Sequence, residues 1–333
     1  MVENAGAAVS ADSNSSNSTT LKGTEEDTGK RWGVGINFSS GCKEIAIRSL
    51  FKSCAATAIL QKVTTVFALT RGKEWREMAH RFKLGVKAFK KDSRTLQLER
   101  YLNKSLPLPP ASCDWSKGIG SFGMMLNGPN DSTYAPDGLG DCTIAGVGHA
   151  VQVFTANASS EVTVPDSTVL SYYEKWDGYI PGNPNTDNGG VELDVLNDWR
   201  QQGFAGHKLL GYVDANPQNF ISVKRGINLF GGAYIGLNVT NQVMNNSGNP
   251  AIPWDMTGDT GIAGGHCVFV LKYDPQFIYF VSWGAIYKMT RRYWYSQVSE
   301  AHILLSPDFI GANGLDPSGF NLAQLQADLA AIV

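Results

Sequence analysis

The chain predicts an α+β protein in which helices come first and a largely antiparallel sheet second, and three observations carry that class. VELDVLNDWRQQ (191–202), closed by Gly203, and the segment from Pro217 that spaces Phe220, Val223 and Ile227 both read as helices. Beyond them the pattern turns into short runs rich in β-branched and aromatic residues: GGAYIGLNV (231–239), HCVFVLKY (266–273), IYFVSW (278–283) and AHILL (301–305). Loops rich in Gly, Asn and Pro separate these runs, so each strand returns beside the last. The 333 residues, 43% hydrophobic with 15 Phe, 12 Tyr and 8 Trp, suffice for one domain of roughly 200 to 230 residues plus an attached segment.

The elements follow in order. Residues 1–42 begin with MVENAGAAVSADSNSSNSTTLKGTEEDTGK, which lacks the apolar core of a secretion signal and reads as a flexible polar tail. The N-x-S/T matches at Asn14, Asn17 and Asn238 carry no weight without a secretion route. Residues 43–105 form a helical N-terminal segment. Within it SLFKSCAATAILQKVTTVFAL (49–69) is interrupted by Lys52, Gln61 and Lys62, which favours a buried or amphipathic helix over a membrane span. The basic stretch KEWREMAHRFKLGVKAFKKDSR (73–94) reads as a solvated helix–loop face, and RTLQLERYL (94–102) as a short amphipathic piece. LPLPP (106–110) sets the main boundary, because proline removes amide donors and restrains the residue before it. The main domain runs from 106 to 310: a long loop over 116–141, a helix over 142–156, then the helices and strands above. Residues 311–333 form a C-terminal extension with a short helix.

The 28 Lys and Arg are scattered against 30 Asp and Glu, for a net charge near −2, so the concentrated positive face that nucleic-acid binding requires is missing. The five cysteines, Cys42, Cys54, Cys113, Cys142 and Cys267, form no CxxC pair, and the five histidines form no zinc signature, so neither a metal nor a cofactor is expected. The odd cysteine count slightly favours a cytoplasmic or otherwise reducing compartment and leaves the oligomeric state open. In GLGDCTIAGVGHAVQVF (138–154) Cys142 and His149 stand two helical turns apart, about 10 Å, which is too far for a thiol–imidazole hydrogen bond. A thiol at a helix start needs its histidine from a later strand.

Several segments, in this order, resemble the papain-like cysteine peptidase superfamily. Pro109 and Asp114-Trp115 resemble the start of a mature papain-like domain, and GDCTIAG resembles the segment that carries the catalytic thiol at the head of the central helix. Asn188-Gly189-Gly190 followed by a helix, the passage PQNFISVKRGINLFGGAYIGL, the strand GGHCVFV, and Val281-Ser282-Trp283-Gly284 in place of Asn-Ser-Trp-Gly complete the match over roughly 106–306. The resemblance implies a two-lobed fold with a central helix in one lobe and a largely antiparallel sheet in the other. It implies Cys142 as nucleophile and His266 as base, 124 residues apart, a little below the family's usual interval of roughly 130–150. A helix N-terminus and an adjacent imidazolium both favour thiolate. Gly189, Gly190 and Gly265 would admit a substrate backbone, and Trp283 would shield the imidazole.

Two departures matter. Val281 stands where the family has the asparagine that orients the histidine, so Ser282 is the expected orienter, with Asp274 the alternative. No glutamine precedes Cys142 in the lengthened loop, where Pro136 occupies the corresponding place, so the oxyanion or substrate-binding role falls to Asn127, Asn130 or Asp141. No cysteine lies directly before Asn188-Gly189-Gly190, so the left-lobe disulfide that the resemblance implies is not expected. His149 and Cys267 are assigned to packing. The expected activity is cleavage of peptide or other amide bonds through a Cys-His dyad, with hydrolysis or acyl transfer as outcomes and a peptide or protein as partner. The alternative is an inactive binding or structural module on the same fold. Residues 43–105 then serve either as a propeptide-like cover of the cleft or as a packed strap.

Overall fold

The computed structural model describes residues 82–102, 108–123, 138–158, 160–246 and 249–310, together with the backbone of three strands near the N-terminus and of positions 323, 324 and 327. The chain divides into two units, Met1–Arg71 and Gly72–Val333. In the first, β1 (Val9–Asn14), β2 (Ser18–Thr24) and β3 (Arg31–Asn37) form an antiparallel meander. Extended backbone thus occurs in a stretch whose polarity suggested an unstructured tail. The helix expected over 43–81 lies outside the described residues.

In the second unit the helices do come first. Helix α1 (Cys142–Ala158) is buried around its whole circumference from Cys142 to Thr155, as a central helix must be. Helix α2 (Asp166–Asp177) follows and ends on Gly178 in the left-handed conformation. Helix α3 (Glu192–Gln202) buries Leu193, Val195, Leu196 and Trp199 against them. Their core continues through Phe154, Tyr173 and Phe204 into one lobe.

The second lobe is a seven-stranded antiparallel sheet. Its order is β5 (Gly211–Asp214), β10 (Val298–Leu305), β6 (Ala233–Thr240), β7 (Ile262–Tyr273), β8 (Phe277–Ser282) and β9 (Ala285–Thr290), with β4 (Cys113–Asp114) also paired to β7. Helix α4 (Phe220–Phe230), capped by Asn219, packs Val223, Ile227 and Phe230 on one face. Short helices α5 (Asn241–Met244) and α6 (Arg291–Gln297) carry the turns beside it, and α7 (Pro307–Ile310) follows β10. Strand alternation decides the lobes: along β7, Cys267, Phe269 and Leu271 face the helical lobe while Val268 and Val270 enter the sheet's own core. A register shift between Val270 and Lys272 then turns Tyr273 inward as well.

The sequence runs at 266–273 and 301–305 fall within these strands, and those at 231–239 and 278–283 overlap β6 and β8 apart from Gly231, Gly232 and Trp283. Over its described part the basic stretch forms no helix: residues 82–86 are extended and largely buried, 87–91 are exposed, and 94–102 supplies only a single 3-10 turn, Leu98–Arg100.

Candidate active site

Cys142 is the first residue of α1, and its side chain is sealed from solvent. Helix and sheet come together closely at this end: a methyl group at Gly146 would lie 2.9 Å from the Tyr234 ring and 3.3 Å from Cys267 Sγ. That approach brings the Cys142 thiol to the backbone of β7, where the Cys267 N–H donates to Sγ at 3.4 Å. The residue before that amide is His266. No hydrogen bond joins Cys142 Sγ to the imidazole itself among the described residues.

His266 is fully buried, and its ring stacks on Trp283 with centroids 4.9 Å apart and planes at 19°. Its Nε2 lies 2.8 Å from Ser282 Oγ, while Nδ1 is buried with no partner. Val281 points to the other side of β8, into the helical lobe's core. Asp274 is committed to its turn, where it accepts from the amides of Gln276 and Phe277 and from the Tyr279 hydroxyl. His149 packs edge-on to Phe122 and contacts the Gly123 carbonyl at 3.3 Å. Asn127 and Asn130 lie outside the described residues.

Charge and burial oppose one another here. A helix N-terminus favours thiolate by up to about 1–2 kcal/mol, but burial outweighs it and pushes the Cys142 thiol up to about 12, against the amides of Cys267 and Gly85. Burial likewise lowers His266 to about 3, reinforced by His149. Thiol and imidazole are therefore both neutral in this form. Asp141, next to the thiol, is completely buried, and neither of its carboxylate oxygens has a partner. Burial raises its pKa well above the carboxylate range, aided by Asp187, so it is held as a neutral acid.

The agent of this burial is residues 82–90. Gly85 passes directly over the helix start: a methyl group there would lie 1.8 Å from the Gly140 carbonyl oxygen. Gly190 N–H donates to the Gly85 carbonyl at 2.9 Å and the Gly190 carbonyl accepts from Lys87 N–H at 2.8 Å, pairing Val86 with Gly190 in parallel. On the opposite wall Val86 N–H donates to the Gly265 carbonyl at 3.1 Å. Phe82 stacks on the outer face of Trp283 at 4.4 Å, and Leu84 covers Gly264. Lys83, on the other side, pairs with Asp187, whose second oxygen is held by Tyr173 at 2.7 Å and by the Gly140 amide at 2.9 Å. The backbone groups of Gly190 and Gly265 expected to receive a substrate thus hold a segment of the same chain, while the Gly189 amide donates to the Tyr173 hydroxyl at 2.9 Å. The signal was present: Phe82, Leu84 and Val86 alternate with Lys83 and Lys87, a two-residue period that belongs to extended backbone.

A solved structure shares the fold. Xylellain, a cysteine protease from Xylella fastidiosa, superposes with a TM-score of 0.52 over 67% of this chain and 96% of its own, at 16% identity. The fold is papain-like. A cysteine protease from Carica candamarcensis, CMS1MS2, solved in complex with E-64, aligns over 59% of this chain and 98% of its own at 14% identity, with a TM-score of 0.42. No protein-family model and no curated protein matches the sequence. The papain-like part is the two-lobed unit built on α1 and the antiparallel sheet, and no described helix is long and apolar enough to cross a membrane.

Proposed function

We propose that the chain is a divergent papain-like cysteine hydrolase acting on peptide or other amide bonds, held latent by residues 82–90. The observation that carries this reading is the seat of Cys142 at the head of the central helix, on the amide of the residue that follows His266, with Ser282 holding the distal nitrogen of that imidazole. With the segment withdrawn, water reaches the cleft and the burial that keeps both groups neutral is relieved. His266 Nδ1 takes the thiol proton, Cys142 attacks the carbonyl carbon, and the imidazolium returns the proton to the leaving amine. The thioester is then cleaved by water deprotonated at the same nitrogen; an amine in place of water gives acyl transfer. The Cys142 backbone N–H and the neutral carboxyl of Asp141 are the donors proposed for the tetrahedral oxyanion. Gly190 and Gly265 present backbone groups to an extended peptide, the partner class proposed.

Residues 82–90 suit a cover rather than a substrate. The Gly85 carbonyl is engaged by the Gly190 N–H, so the segment is held on the wall by its own backbone pairing. The filled cleft also favours a second reading, a papain-fold binding module without catalysis. A small electrophilic thiol probe separates the two when applied to the intact protein and to a Phe82→Ala, Lys83→Ala variant. Latency predicts labelling of Cys142 in the variant far faster than that of Cys113, a free thiol outside the cleft, together with turnover of a peptide library. A folded variant whose Cys142 is accessible yet reacts no faster than an ordinary thiol, and cleaves nothing, supports the binding module.

A further inference from the structure

Away from the thiol, where α3 meets the sheet, three side chains converge that the proposed chemistry does not use. We propose that Glu192, Glu300 and His302 form a buried site for one divalent transition-metal ion of the Zn²⁺ class, which ties the helical lobe to the sheet. One ligand atom from each of the three lies within 4.8 Å of the others. His302 Nε2 is 3.3 Å from Glu300 Oε2 and 3.8 Å from Glu192 Oε2. Metal–ligand bonds of about 2.0–2.1 Å in tetrahedral geometry place ligand atoms about 3.4 Å apart, so these separations leave room for an ion among the three. The residues are 1%, 5% and 1% exposed, which distinguishes them from a solvated acidic patch.

Two further features point to a cation. His302 Nδ1 sits 2.7 Å from Asp214 Oδ1, an ion-pair distance; in the metal-bound form that carboxylate would keep the remaining ring proton on Nδ1 and leave the Nε2 lone pair to the ion. This is the carboxylate–histidine support that metal-binding imidazoles use. Both oxygens of Glu192 are sealed from water without a hydrogen-bond partner, beside the weakly donating Cys267 thiol. Two buried carboxylates meet one imidazole here, and an isolated buried carboxylate costs several kcal/mol; even protonated, as Asp214 and Glu300 favour, His302 brings a single positive charge to the pair. A dication balances the pair of carboxylates and accepts all three electron pairs. The sheet leaves space at the same spot: Gly236, the register partner of Glu300, would with a methyl group place carbon 2.7 Å from Glu300 Oε1 and 2.9 Å from Glu192 Oε1. A proton competes for the same lone pair, so binding is expected to weaken as pH falls.

Because the site is closed, the ion must enter during folding, and the full-length protein should be produced in zinc-supplemented and in zinc-depleted, cobalt-supplemented medium. Elemental analysis after dialysis is expected to find about one Zn²⁺ or Co²⁺ per chain, and the Co²⁺ protein should show a visible ligand-field band without thiolate charge transfer. Glu192→Gln and Glu300→Gln, which keep shape and remove charge, should each cut metal occupancy at least ~10-fold, while His207→Gln, in the separate pair with Asp308, leaves it unchanged. Folded wild-type protein that carries neither ion after supplementation overturns the proposal. So does full occupancy in the Glu192→Gln, Glu300→Gln double variant, or a thiolate charge-transfer band. Should the variants fail to fold, the wild-type metal content and cobalt spectrum decide alone.

Discussion

In the proposed mechanism Ser282 and Asp141 take up the two tasks that the departures from the papain-like pattern leave vacant. Ser282 Oγ is 2.8 Å from His266 Nε2 and is itself buried, so it orients the ring with a hydroxyl in place of an amide. Ser282→Ala, placed in a background with the cleft opened, should lower the rate of Cys142 labelling about 10-fold, the loss of one orienting contact. Asp274→Asn should leave that rate unchanged, since its oxygens are occupied in the β7–β8 turn; the reverse outcome would show that the orienter is misassigned. Asp141 gives a sharper test because its proposed role depends on a proton. Asp141→Asn keeps a neutral donor and should retain turnover within a few-fold, whereas Asp141→Ala should lose about 100-fold in kcat with little change in KM. Equal losses in both variants would remove Asp141 from the oxyanion site.

At the scale of elements, the cleft segment is held by backbone pairing on both walls, by the Phe82–Trp283 stack and by Lys83 on Asp187. The exposed half of that ion pair is worth little, since Lys83 keeps 37% of its side-chain surface. The fit at Gly85 is worth more, because neither Gly140 nor Gly189 can yield: a methyl group there meets backbone atoms, not the ends of flexible side chains. Overpacking of this kind costs about 1–3 kcal/mol, which would shift the covered–uncovered balance roughly 10- to 100-fold. Gly85→Ala should therefore raise the labelling rate of Cys142 by that factor, measured beside a denaturation midpoint to show that the lobes stay folded. A folded Gly85→Ala protein with unchanged labelling would mean that the cleft opens without displacement of this segment.

At the scale of the whole molecule, burial of two neutral histidines links stability to pH. His266 falls to about 3 and His149 to about 4, both through burial, against an unfolded value near 6.5. Below 6.5 the unfolded chain binds the extra protons, so stability is complete above that value and declines as pH falls toward 4. Each histidine contributes about 1.4 kcal/mol per pH unit in that window. Asp141 and Glu192, both raised by burial, act with the opposite sign over the same range, so the histidine part is read as a difference: the urea midpoint of the intact protein minus that of His149→Asn should fall from pH 7 to pH 4.5. A difference that stays constant across this range would place the His149 imidazole in contact with solvent. The same burial raises Cys142 to about 12, so its contribution is present below about 9 and is lost as pH rises toward 12.

The sequence by itself determined the α+β class and the order of helices and strands, and its resemblance to the papain-like superfamily nominated the thiol, the histidine and the serine. These properties are local: a two-residue alternation in 266–273, a glycine closing 191–202, and a serine one step from a valine that strand geometry sends to the opposite face. It left unread the strands β5 and β9, whose runs are short or polar, and helix α2, whose amphipathic face is confined to Val169, Leu170 and Tyr173. Only the tertiary structure decided that residues 82–90 fill the cleft, because their partners Asp187, Gly190, Gly265 and Trp283 come from four distant segments. Tertiary structure likewise set the charge state of the site, since desolvation depends on what covers a group and not on its neighbours in sequence. The Glu192, Glu300 and His302 cluster carries no spacing signature for the same reason: a helix start and one strand meet there only when the two lobes close on each other.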